Sequence, residues 1–88
     1  MQVTINNLQC QKERISLPAP AWEGREEWGT GVTLEAIYRG PRTGRMVIKL
    51  LSRWQGEGES YDEVCAEDYL GACQLAGIEP AGIEVTDL

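Results

Sequence analysis

The sequence predicts an α+β domain in which an antiparallel sheet of four to five strands carries a single helix on one face. Residues 32–54 hold two runs of alternating apolar and polar side chains around a cluster with glycine and proline, which is typical of a β-hairpin. Residues 61–76 repeat apolar side chains at helical spacing and run into Gly77, a favourable helix end. With 88 residues, the chain is expected to form one small globular domain, residues 1–88.

The pattern before the hairpin is weaker. Residues 2–17 alternate in short stretches, which predicts a pair of strands with the turn at residues 12–13; alternatively, residues 6–7 hold a bulge or form the turn. Residues 18–31 are rich in proline, glycine and glutamate, so they are predicted to be a connection. Within it, Trp22 either covers one end of the core or is exposed for a partner, and its large apolar area favours the first role.

The central hairpin is predicted over residues 28–39 and 45–54, with Trp28 near the start of its first strand. A one-residue slip would move every side chain to the other face, so the apolar pattern selects one register. A turn ending in Gly44 produces that register. It places Leu34, Ala36 and Tyr38 beside Ile48, Leu50 and Ser52. A register shifted by one residue would place Lys49 among the apolar side chains of this face, so it is rejected.

The helix is predicted to begin at a capping box, residues 60–63, whose acidic residues suit the helix dipole, and to end at Gly77. Its sheet-facing side contains Tyr61, Val64, Cys65, Tyr69, Ala72, Cys73, Leu75 and Ala76. Asp68 also projects into this side, and we expect it to pair with a strand cation such as Lys49. Residues 82–88 alternate and are compatible with a further strand.

Charge is segregated along the chain, which carries a net charge of −6. Residues 1–53 contain all eight Lys and Arg with five acids, whereas residues 54–88 contain nine acids and no base. Several of the bases lie close to the turn of the central hairpin. The sequence therefore predicts a basic hairpin tip and an acidic C-terminal part.

No sequence pattern typical of an enzyme occurs in the chain. It has no histidine, which removes the commonest general base and metal ligand. The three cysteines lack CxxC spacing, and the chain has no P-loop, GxGxxG or GxSxG motif. We therefore expect a protein that is not an enzyme, with no catalytic residue, no cofactor and no metal site, and reduced cysteines that serve packing.

The chain also lacks membrane and export signals. No apolar run approaches the ~20 residues of a membrane-spanning helix, and the N-terminus does not resemble a signal peptide. An odd, unpatterned set of three cysteines suits a reducing compartment. We therefore expect a cytoplasmic protein that makes no membrane contact.

The acidic part of the chain predicts a non-catalytic module that binds a protein partner with a basic surface. The candidate partner-binding residues are Glu57, Glu59, Asp62, Glu63, Glu67 and Asp68. A composition of this kind is typical of small inhibitors and adaptors encoded by phages and mobile elements, although no motif of such a family is matched. The composition is also compatible with a homodimer.

The alternative prediction places binding at the basic hairpin tip, where Arg39, Arg42 and Arg45 would contact phosphate groups or an acidic partner. Two properties of the chain speak against nucleic acid. The arginines lack interleaved aromatic residues, and the isoelectric point is about 4.5. A small enzyme is the least favoured interpretation, because no second catalytic group accompanies any candidate carboxylate or thiol.

Overall fold

A computed structural model describes residues 1–39, 45–53 and 58–80, which form six β-strands and one α-helix. The elements are β1 (Gln2–Asn6), β2 (Lys12–Ser16), β3 (Trp22–Gly29), β4 (Val32–Arg39), β5 (Met46–Ser52), β6 (Gly58–Glu63) and α1 (Ala66–Ala76). The strands form one sheet in the order β2-β1-β6-β5-β4-β3. Neighbouring strands are antiparallel except β1 and β6, which are parallel. The α+β class is confirmed, but the sheet has more strands than the four to five expected and is mixed.

Strands β4 and β5 form the central hairpin, but its register changes along its length. Leu34 pairs with Leu50, as the predicted parity requires. A bulge at Glu35 then shifts the register by one residue. The pairs beyond it are Ala36–Lys49, Ile37–Ile48 and Tyr38–Val47. The predicted register is therefore wrong in the half of the hairpin nearest the turn. There the extra residue of the bulge produces the pairing that was rejected from the alternation, with Ala36 opposite Lys49.

The bulge distributes apolar residues over both sides of the sheet. The side that carries α1 holds the helix-side cluster: Leu34, Ile37, Ile48, Tyr69, Ala72 and Cys73. The opposite side holds the inner cluster: Val3, Ile5, Leu17, Ala36, Tyr38 and Val47. The three consecutive apolar residues 36–38 therefore contribute side chains to both clusters. A strand that is buried on both faces has such a continuous apolar run, whereas a half-exposed strand alternates apolar and polar residues.

Chain connectivity shows that the sheet is strongly curled. The backbone of Leu17, just after β2, is hydrogen-bonded to Met1 at one edge of the sheet. Four residues later, the backbone of Ala21, just before β3, is hydrogen-bonded to Ile37 at the other edge. The four Cα steps from Leu17 to Ala21 reach at most about 14 Å. The outer strands of a flat six-stranded sheet would be about 24 Å apart. The curl also explains how the inner cluster is buried on a side that no described helix covers.

Residues 18–31 are not the connection that was predicted, because Trp22–Gly29 forms the edge strand β3. Trp28 consequently belongs to β3 and not to the first strand of the central hairpin. The chain turns back at residues 30–31, where Gly31 adopts a left-handed φ of 74°. Trp22 is half-buried and packs against the helix-side cluster, so it serves the core as expected, although from a strand.

The N-terminal residues form the expected pair of strands, β1 and β2. The chain reverses between them over residues 7–11, so the turn predicted at residues 12–13 is wrong and the alternative at residues 6–7 is closer. Asn7 organises this loop, because its side-chain oxygen accepts hydrogen bonds from the backbone N–H groups of Gln9 and Gln11.

The helix begins later than predicted and ends where predicted. Residues 60–63 belong to β6, so the capping box is wrong, and the residue before the helix, Cys65, makes no side-chain cap. Pairing of this segment with β5 outweighs its local helical signal. At the other end, Gly77 has a φ of 74°, and Ile78 N–H bonds the Cys73 carbonyl at 3.0 Å, as in a Schellman motif.

The late start changes which helical residues are buried. Tyr69, Ala72 and Cys73 face the sheet as predicted, whereas Cys65 and Leu75 are exposed. Tyr61 lies on β6, where it packs against the inner cluster. Residues 82–88, for which a further strand was considered, lie outside the described residues.

Candidate functional site

The structure describes five of the six acids that the sequence grouped as one binding surface, and these five lie on two different elements. Glu57 lies outside the described residues. Glu59, Asp62 and Glu63 belong to β6, where alternation sends Asp62 to one side of the sheet and the two glutamates to the other. Glu67 and Asp68 lie in the first turn of α1. The β6 residues and the helical residues therefore have different environments.

Glu63 takes part in a charge cluster with Arg45 and Glu13, which we call the Arg45 clasp. Arg45 Nε and Nη2 donate to the two oxygens of Glu63, each at 2.9 Å. Arg45 Nη1 and Nη2 donate to Glu13 at 2.6 and 2.9 Å. Both contacts are bidentate, the strongest geometry available to a guanidinium and a carboxylate.

The clasp shifts the titration of all three groups. The hydrogen bond from Arg45 lowers the pKa of Glu13 from 4.5 to about 2, with a further contribution from Asn7. Its hydrogen bonds also lower the pKa of Glu63, and Glu13 and Glu63 together raise the pKa of Arg45. Glu63 is the most enclosed member, with 11% of its side chain exposed. The cluster stays fully ionised at neutral pH.

The position of the clasp indicates a structural role. It joins β2, β6 and the entry to β5, and the Leu8 backbone N–H also donates to Glu63 at 3.2 Å. Arg45 therefore ties the N-terminal hairpin to the central strands. Four hydrogen bonds engage the guanidinium of Arg45, one of the arginines predicted for the basic tip, within the chain. In the same tip, Arg39 is half-buried and Arg42 lies outside the described residues.

The other β6 acids also make contacts within the chain. Asp62 accepts a hydrogen bond from the Asn6 side chain at 2.6 Å, which supports the short parallel junction of β1 with β6. Glu59 lies 3.6 Å from Lys49, whose ammonium also stands 5.7 Å from the centre of the Tyr61 ring. These contacts leave Glu59 partly available and Asp62 engaged.

Glu67 and Asp68 are exposed and make no ion pair with any described residue. The predicted pair of Asp68 with Lys49 is wrong, because Lys49 pairs with Glu59 instead. Both carboxylates sit in the first turn, at the positive end of the helix dipole. They are the predicted acids whose charge is most available to a partner.

Strand β3 adds exposed acids that the sequence interpretation missed. Its residues 23–27 are all exposed, and they include three glutamates and one arginine. Residues 18–31 were predicted to be a connection, so the prediction did not include this edge strand. A sequence signal for this strand is the even spacing of Trp22 and Trp28, because regular alternation predicts both indoles on one face. The strand itself has two register shifts in its pairing with β4, and both indoles still pack on the helix-side cluster.

An open groove of about 310 Å³ lies beside the β3–β4 turn. Its lining includes Arg25, Glu26, Glu27, Thr33 and Arg53. The two arginines and two glutamates balance in charge.

The described cysteines Cys10, Cys65 and Cys73 are free, and burial raises the pKa of Cys73, which keeps its thiol protonated at neutral pH. Among the described residues, no group of three or more His, Cys, Asp or Glu side chains is arranged to hold a metal ion.

The helix found in the described ranges is too short and too polar to cross a membrane. Comparison with known proteins finds no matching family model, no similar curated protein and no similar solved structure.

Proposed function

We propose that this protein is a non-catalytic protein-binding module that presents exposed carboxylates to a partner with a basic surface. The observation that carries the proposal is the division of the acids into two groups. Glu63 and Asp62 are used within the fold, whereas Glu67 and Asp68 are exposed without an ion pair among the described residues. A small inhibitor or adaptor acts through a surface of this kind.

Electrostatics supports the proposal because the exposed acids of α1 and of the neighbouring strand β3 outnumber the single exposed arginine of that strand. The helix offers Glu67 and Asp68, and the neighbouring strand β3 offers Glu26 and Glu27, which also lack ion pairs with described residues. On a chain with a net charge of −6, these groups steer a cationic partner during encounter. Charges at the rim of an interface act mainly on the association rate.

The structure also directs the choice of test. Charge reversal at Glu63 would break the Arg45 clasp, so a loss of binding there could arise from unfolding. The double substitution Glu67→Lys and Asp68→Lys avoids that contact. A matched control is Glu59→Lys with Glu79→Lys, which changes the net charge equally at exposed positions outside the proposed surface.

The experiment captures partners from a cell lysate on immobilised wild-type protein and on the two variants. A protein with a basic surface should be retained by the wild type and the control, and lost with the Glu67 and Asp68 variant. With the purified partner, association at low salt should slow by about tenfold in that variant. Equal losses in both variants would mean that only net charge matters and would overturn the proposal.

A mobility shift at low salt tests the nucleic-acid alternative. We expect no shift with DNA, because Arg45 is engaged in the clasp and the net charge is negative. A clear shift that Arg42→Ala abolishes would favour the basic tip instead. Arg45 is unsuitable for this substitution because its loss would disturb the fold.

A further inference from the structure

Strand β3 is the longer of the two sheet edges. It has eight residues and pairs only with β4 among the described strands. No backbone hydrogen bond from a described residue reaches its outer side. About half of the N–H and C=O groups of an edge strand point away from its neighbour, which makes the strand a template for another extended segment.

The two sheet edges differ in length and in the sign of their exposed charges, although β3 also has two register shifts in its pairing with β4. Strand β2 has five residues, and its exposed cations Lys12 and Arg14 guard it against pairing. On β3, residues 23–27 are exposed and carry three carboxylates and one guanidinium, a net charge of −2. A second copy of the chain would bring the same negative charge to this edge. A strand that carries lysine or arginine would neutralise it.

Two half-buried indoles mark the ends of β3. Trp22 and Trp28 both pack on the helix-side cluster and remain partly accessible. The ring of Trp22 lies over the strand at Gly24, where an added Cβ would stand 2.5 Å from its Cζ2 atom. Gly24 thus leaves the indole flat against the backbone. Aliphatic stems and cationic heads of lysine or arginine pack well on such surfaces.

From these features we infer that β3 is the docking edge, and that it takes an extended basic segment of the partner as a seventh strand of the sheet. This inference rests on the proposed function and names the kind of partner that it requires. Backbone hydrogen bonds would provide the pairing, while Glu26 and Glu27 select cationic side chains on the incoming strand.

The probe is a capped nonapeptide of alternating lysine and valine, which carries charge and readily forms strands. The control peptide alternates lysine and proline, so it keeps the charge and an extended shape but cannot form a ladder. We expect the valine peptide to bind at least tenfold more tightly. Amide hydrogen exchange of residues 22–29 should slow in its presence.

Matched variants locate the site. Glu26→Lys with Glu27→Lys should weaken binding of the valine peptide at least tenfold, and Arg25→Glu should strengthen it, whereas Glu59→Lys with Glu79→Lys should have a smaller effect. Circular dichroism checks that each variant is folded. If the control variant weakens binding as much as the Glu26 and Glu27 variant does, the assignment of the site to β3 is overturned.

The outcomes separate this inference from the proposed function. If both peptides bind equally, charge alone suffices, so strand pairing is overturned while the acidic surface stands. If neither binds, docking at β3 is overturned, and the proposed function is decided separately by partner capture with the Glu67 and Asp68 variant. A dimer of the free protein, seen by sedimentation with protected β3 amides, would assign the edge to a second copy and would also overturn the inference.

Discussion

At the scale of single residues, the same residue type has opposite roles depending on its neighbours. Glu63 and Glu67 are four positions apart in an acidic stretch, yet Glu63 is enclosed in the Arg45 clasp and Glu67 is exposed. Enclosure makes a carboxylate structural because its charge is balanced within the chain. Exposure leaves its charge to act on a partner.

The clasp predicts an acid-dependent loss of stability. Glu13 and Glu63 both have a lower pKa in the folded chain than in the unfolded one, so they stabilise the fold fully above about pH 4.5. That stability is lost as the pH falls towards about 2. Urea unfolding across this range should show the decline, and Glu13→Gln should make it shallower. An unchanged slope in the variant would contradict the role of the clasp.

Removing the cation tests the same cluster at neutral pH. Arg45→Ala leaves two carboxylates without their partner and should lower the free energy of unfolding by on the order of 1–2 kcal/mol. The control is Lys49→Ala, whose pair with exposed Glu59 should contribute less than about 0.5 kcal/mol. Equal losses in urea unfolding would show that the clasp contributes no more than a surface ion pair.

At the scale of elements, each boundary is explained by the interaction that prevails there. The segment 60–63 has a helix-start signal but joins β6, because strand β5 offers it a ladder of backbone hydrogen bonds. The helix end at Gly77 has no such competitor. A local signal therefore determines an element boundary only where no neighbouring strand contests it.

Two glycine substitutions at α1 should change stability in opposite directions. Gly77 has a φ of 74°, where a side chain is strained, so Gly77→Ala should cost about 1 kcal/mol. Gly71 is helical and exposed, and an added Cβ would meet no atom within 4 Å beyond its own helix backbone. Gly71→Ala should therefore stabilise the fold by up to about 1 kcal/mol. Thermal unfolding measures both, and the same sign in both variants would contradict the helix end described here.

At the scale of the whole molecule, the curled sheet makes the N-terminal hairpin part of the core. Ile5 on β1 is fully buried in the inner cluster with Ala36 and Val47, although these residues are far apart in sequence. The hairpin completes one of the two apolar cores, so the domain should unfold as one unit.

This arrangement predicts a large effect at one position of the N-terminal hairpin and none at another nearby. Ile5→Ala removes fully buried volume and should cost roughly 2–5 kcal/mol. Leu8 is 54% exposed in the adjoining turn, so Leu8→Ala should change stability by less than about 0.5 kcal/mol. Urea unfolding compares them. A small loss for Ile5→Ala would mean that the hairpin is only loosely attached.

The sequence by itself determined the features that depend on neighbours within a few residues. Alternation predicted the existence of the β4–β5 hairpin, and the left-handed preference of glycine predicted the end of α1 at Gly77. Helical spacing identified Tyr69, Ala72 and Cys73 as buried. These signals are short-range, so the sequence alone is enough to interpret them.

Only the tertiary structure decided the bulge at Glu35, the sixth strand and the fate of each acid. The bulge at Glu35 lets β4 contribute side chains to both apolar clusters. A sequence pattern that describes one buried face of a strand does not predict this. Whether Glu63 meets Arg45 depends on strand order, since β2, β6 and the entry to β5 come together only in the assembled sheet. Partners across a sheet are distant in sequence, so local patterns do not specify them.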